Sequence, residues 1–142
     1  MKTLVKLTAC LLIVLLAACT KEKVEADKPL AGTWQLNAAY TDPGDGSGKY
    51  VPVSNPGNNK LTFKSDGKLE VSGLNNSDNF LLYFSAYSTY TVKDSTTLVF
   101  KKQTGTDSQN FIYKIEGDML TLSPAGPLMC IEGCGVRFIK ED

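Results

Sequence analysis

From Leu61 to Lys140 the chain repeats one local grammar: a short run of alternating apolar and polar residues, then a turn signal. A two-residue period puts the apolar side chains on one face of a strand, so the repetition restricts the chain to antiparallel β-structure. Leu61-Thr62-Phe63-Lys64 and Leu69-Glu70-Val71-Ser72 alternate and are joined by Ser65-Asp66-Gly67-Lys68, whose Asp-Gly pair is a hairpin signal. Further strands are expected at Ser88–Lys93, Thr97–Lys102, Asn110–Ile115, Met119–Ser123 and Val136–Lys140, with turns at 94–96, 104–108 and 116–118. Upstream, Trp34, Leu36, Ala38 and Tyr40 alternate with Thr33, Gln35, Asn37 and Ala39 as a half-buried first strand. No stretch of this region has a convincing amphipathic helical period. The pattern predicts an all-β fold of about eight strands, an antiparallel meander closing into a small barrel or stacking as a sandwich. Eight strands are just enough to close, with an interior filled by side chains or holding one small ligand.

Two segments interrupt the rhythm. Residues 41–60 are dense in Gly, Pro, Asn and Asp, which reads as a long loop, and loops of that length in compact domains are functional or disordered. Asp42, Asp45 and Ser47 nearly alternate as oxygen donors, but the flanking helices and twelfth-position glutamate of a calcium loop are missing. Residues 80–90 are rich in aromatics: Phe80, Tyr83, Phe84, Tyr87 and Tyr90. A strand or irregular apolar segment is expected near 80–85. Together with Phe111, Tyr83, Phe84, Tyr87 and Tyr90 are either core or the wall of a pocket for a small apolar or amphipathic ligand.

The N-terminus sets the address. Lys2 and Lys6 precede an uncharged run from Leu7 to Ala17, too short to span a bilayer and built like an export signal. Leu16-Ala17-Ala18-Cys19 resembles the lipobox of bacterial lipoproteins, which implies cleavage before Cys19 and lipid, palmitate included, on that cysteine. Residues 1–18 are then a signal peptide, 19–31 a lipidated Cys and flexible charged tether, and 32–142 the folded domain. Thr20 is not aspartate, so the familiar inner-membrane retention signal is missing, and the resemblance implies an outer-membrane anchor. Lys21-Glu22-Lys23-Val24-Glu25 is a loose match to the surface-export signal of Bacteroidota lipoproteins.

Composition excludes whole classes. The sequence has no histidine, which removes Ser-His-Asp and Cys-His catalysis and any histidine-ligated metal site. Without Lys2 and Lys6 the mature chain carries thirteen basic and fifteen acidic residues, a net −2 that gives no footprint for nucleic acid. Arg137 is the sole arginine. No catalytic constellation, resident metal or cofactor is expected, and the chain does not read as an enzyme. Cys130 and Cys134, four apart around Gly133 in an oxidising compartment, favour a structural disulfide over free thiols or a redox centre.

Gly32-x-Trp34 in the first strand and a lone arginine in the last resemble the lipocalin and wider calycin pattern. Leu30-x-Gly32-Thr33-Trp34, Phe63-x-x-Asp66-Gly67, Tyr113-x-Ile115-x-Gly117-Asp118-x-Leu120-x-Leu122 and Cys130-x-Glu132-Gly133-Cys134 with Arg137-Phe138 are similar to lipocalin-like lipoproteins of Bacteroidota. The resemblance implies a closed barrel in which Arg137 packs across Trp34 as a structural pair at one end. It supplies a fold and an address more than a function; the first functional reading is a lipid-anchored envelope barrel holding a small apolar or amphipathic ligand without covalent chemistry. The alternative is a filled barrel serving as a structural or interaction subunit, with the 41–60 loop contacting a partner protein or glycan.

Overall fold

The computed structural model describes residues 29–54, 56–73, 83–131 and 133–142. The leader, the lipobox with Cys19, and most of the tether lie outside the described residues, as do Phe80 and Glu132. Nine strands follow one another: β1 (Gly32–Thr41), β2 (Lys49–Pro52), β3 (Lys60–Phe63), β4 (Leu69–Ser72), β5 (Tyr87–Val92), β6 (Thr97–Lys102), β7 (Ser108–Glu116), β8 (Met119–Pro124) and β9 (Val136–Lys140). They form one antiparallel sheet in the order β4-β3-β1-β9-β8-β7-β6-β5, with β2 also on β1. The sheet curls until β4 meets β5 through the Lys68–Thr89 bridge and a Tyr90 N–H to Gly67 carbonyl bond of 2.8 Å. The barrel is thus nearly closed, which leaves little free edge for a second chain to pair with.

β2 is the strand that the loop reading of 41–60 did not anticipate. Gly and Pro flank Lys49–Pro52 so densely that the four-residue segment has no visible period of its own. Its order comes from β1, which pairs with β3 through Gly32–Gln35 and with β2 through Ala38–Thr41 along the same edge. β2 and β3 therefore fill one strand position between them, and eight positions still ring the barrel. The insert between them is stitched back by Leu36 N–H to Asn59 carbonyl (2.8 Å) and Val53 N–H to Asn37 carbonyl (2.9 Å). In the loop before β2, the Asp42 and Asp45 carboxylates accept from the backbone N–H groups of Gly44 and Ser47, both at 2.9 Å, closing turns in their own loop.

The Asp-Gly hairpin forms as read. Gly67 takes a positive φ of 85° that an L side chain resists, Lys64 N–H reaches the Lys68 carbonyl at 2.9 Å, and Asp66 Oδ1 accepts from Lys68 N–H. Of the strand or irregular apolar segment expected near 80–85, residues 83 and 84 are helical and 85 is a turn, and 80–82 lie outside the described residues.

Alternate residues of each strand meet inside. Trp34, Leu36, Leu61, Phe63, Phe84, Leu98, Phe100, Phe111, Leu120, Leu122, Val136 and Phe138 are buried in one cluster. The rings interlock at favourable tilted and edge-to-face geometries, with centroids 4.7 Å apart for Phe100–Phe111, 5.0 Å for Phe63–Tyr90 and 5.4 Å for Phe84–Phe111. The middle of the barrel is a packed aromatic core.

Candidate functional site

The two poles of the barrel differ. At the first, Trp34 is fully buried and its indole N–H donates to the Leu30 carbonyl at 2.7 Å. Its expected partner is Arg137, but the structure places Lys140 there, with Nζ 5.1 Å from the indole centroid. Strand parity explains the difference. Trp34 pairs with Lys140 and Leu36 with Phe138, so the inward positions of β9 are 136, 138 and 140 and Arg137 leaves the opposite face. A bulge between Leu36 and Ala38 then shifts β1, so that Ala39 packs on the core while Ala38, buried outside that cluster, stands opposite Arg137. Arg137 stacks on Tyr50 at 3.7 Å, beside Tyr40, which meets Tyr50 edge-on at 5.3 Å.

The loop bearing the cysteines folds over this outer cluster. Cys130 and Cys134 are joined by a disulfide with their Cα atoms 6.0 Å apart. A Cβ on Gly133 would come within 2.8 Å of the Tyr40 ring, and one on Gly135 within 2.8 Å of the Tyr50 hydroxyl. Only glycine allows so close an approach.

The second pole opens into a cleft of about 640 Å³, lined by Tyr83, Ala86, Tyr87, Lys102, Asp107, Ser108, Gln109, Pro127 and Leu128. Its polar back wall is Gln109, only 1% exposed, whose amide donates to the carbonyls of Asn110 (2.9 Å) and Leu128 (2.8 Å) and accepts from Leu128 N–H (3.0 Å). The Lys102 ammonium and the Asp107 carboxylate face each other at 2.9 Å on the rim. The hydrogen bond to Asp107 and its negative charge hold the Lys102 pKa above its ordinary 10.5. Burial, and then the neighbouring Tyr87 hydroxyl, push the Tyr83 phenol well above its ordinary 10.0, so it is neutral at physiological pH. Beyond Leu128, at 56% exposure, Met129 and Ile131 stand out in solvent and carry an apolar surface away from the cleft.

Of the five aromatics expected along a ligand wall, Tyr83 and Tyr87 line the cleft. Phe84, Tyr90 and Phe111 are core instead, and the Tyr90 hydroxyl donates to the Lys64 carbonyl at 2.8 Å. Starting β7 at Asn110 in the sequence reading hid Gln109. The strand begins at Ser108, and the inward parity of Phe111 and Tyr113 extends back to Gln109. No such signal marks Lys102, Asp107 or Leu128, which reach the cleft from the end of β6 and from the loops after β6 and β8.

A family model described as a lipocalin-like domain matches residues 30–122, from the Trp34 plug through β8. The chain belongs to the lipocalin-like domain family. Comparison with curated proteins and with solved structures finds no significant match. In this lipocalin-like domain the family's barrel is present, with a cluster of buried side chains at its centre and a cleft at one mouth.

Proposed function

We propose that this lipocalin-like domain is a binding protein of the cell envelope, held to the outer membrane by lipid on Cys19 and carrying a small amphipathic ligand in its mouth cleft. One observation supports the reading above the others: about 640 Å³ of open volume sits against Tyr83, Tyr87 and Leu128, within the size range of small-molecule sites. Tyrosines suit such a site, since each offers an apolar ring and a polar tip. Binding proceeds without covalent chemistry, because a chain with no histidine offers no imidazole base to activate a nucleophile, and the Tyr83 phenol is held neutral by burial. The packed interior argues for an alternative, an interaction subunit whose filled barrel meets a partner protein or glycan through the 41–60 segment.

Native mass spectrometry of the protein purified from its own host tests both. A co-purifying small molecule, lost on Tyr87→Ala substitution, is the expected result. A stoichiometric protein partner and an empty cleft would establish the alternative. Intact mass of the mature chain tests the anchor, with the first residue expected to be a lipid-modified Cys19.

A further inference from the structure

The cleft carries both charges at its rim, and they are already bonded to each other. Among the described residues, Lys102 and Asp107 are the only ionisable groups lining it apart from the two tyrosines, and Asp107 sits across the β6–β7 turn with its backbone carbonyl also accepting from Lys102 N–H at 3.2 Å. The next polar group inward, Gln109, spends its amide on Leu128 and Asn110. A ligand entering here meets no unpaired cation or anion. An anionic headgroup would gain Lys102 only by displacing Asp107, and would then lie beside that carboxylate; a cationic one faces the mirror-image conflict. Removing a charge from water without a partner is costly, so both are rejected relative to a neutral polar head. The apolar side of the cleft continues through Leu128 onto the exposed Met129 and Ile131, a surface for an alkyl tail held in place by the Cys130–Cys134 bridge.

We infer that the cleft selects uncharged single-chain amphiphiles, with the Lys102–Asp107 pair acting as a charge filter at the rim and the 128–131 segment as a rest for the tail. This rests on the binding reading above, and the two are separable by experiment. Titration calorimetry with monolaurin and with laurate, both below their critical micelle concentrations, compares one tail with a neutral and an anionic head. Monolaurin is expected to bind at least tenfold more tightly. Asp107→Asn frees the Lys102 charge and is expected to raise laurate affinity at least tenfold. A side chain with a merely structural role would not raise the affinity for the anionic probe. Leu128→Asn is expected to weaken monolaurin at least fivefold, placing the tail on this loop.

Equal affinity of the wild-type protein for the two probes, or no gain of laurate binding in Asp107→Asn, overturns the charge filter and leaves the cleft as a binding site. Unchanged monolaurin affinity in Leu128→Asn overturns the tail rest. No binding of either probe to wild type or Asp107→Asn overturns the charge filter, and if nothing co-purifies from the host either, the binding reading falls with it. Asp107 is 70% exposed at its side chain and Leu128 is exposed as well, so these substitutions leave the barrel intact.

Discussion

Gln109 shows how one buried polar residue shapes the mouth. Its side chain closes three hydrogen bonds, two of them to the backbone of Leu128, nineteen residues away, and so fixes the wall of the cleft to β7. Gln109→Leu keeps the volume but strands the Leu128 N–H, while the Leu128 carbonyl keeps its 3.1 Å bond from Gly126 N–H, and is expected to lower unfolding free energy by about 1–3 kcal/mol. Urea denaturation measures that loss; an unchanged midpoint would mean that water replaces the amide freely. The same scale marks the limit of reading pairs from spacing. Trp34 was legible as a barrel plug through the resemblance of Gly32-x-Trp34 to the calycin pattern. Its cation was not, since naming the partner requires the parity of β9 and the bulge at Leu36–Ala38, and neither shows in the sequence.

At the scale of elements, strands with clean alternation were read nearly to their ends: β3, β4, β6 and β9 each fall within one residue of the sequence expectation. β2 was missed because its order is imposed by pairing with β1 rather than by its own period. Residues 83 and 84, expected as strand or irregular segment, are helical, because an apolar run that packs on all sides looks alike in either state. Two predictions belong here. The β4–β5 seam has one bridge where other neighbours have full ladders, so amides of 69–72 and 87–92 are expected to exchange with deuterium before those of β7 and β8. Uniform protection around the ring would show a seam as firm as the rest. Replacing Cys130 and Cys134 by Ser opens a very short ring, for which chain entropy gives about 2 kcal/mol at most. The expected signature is local: faster exchange at 128–135, with β8 and β9 unaltered.

For the molecule as a whole, the acid–base response follows from where its charges sit. Asp45, Asp66 and Asp94 have pKa values below the ordinary 3.8, chiefly through hydrogen bonds from Ser47, Lys68 and Thr96 respectively. Their contribution is complete above the unfolded value near 3.9 and is lost as pH falls through the lowered folded values. Lys68 and Lys102 are raised above 10.5 by Asp66 and Asp107, so their share is present below that value and lost as pH climbs through the raised ones. With no histidine to titrate in between, the melting temperature is expected to be level from about pH 5 to about pH 9 and to fall below about pH 4. Differential scanning calorimetry across that range checks it, and a steep slope near pH 6–7 would contradict it.

The placement of the chain ends has a practical corollary. Lys140 reaches back to the Pro29 carbonyl at 3.0 Å, and Glu141 N–H bonds the Thr33 carbonyl at 2.8 Å, so the first and last described residues leave side by side from the plugged pole. Tyr83, Gln109 and Leu128 stand at the other. An affinity tag, a fluorescent fusion or a sensor surface coupled just before residue 29 of the excised domain or after residue 142 therefore grips the barrel by its base. By the same geometry the domain has the layout of a graftable cassette, able to be spliced into a host protein's loop with its mouth still facing outward.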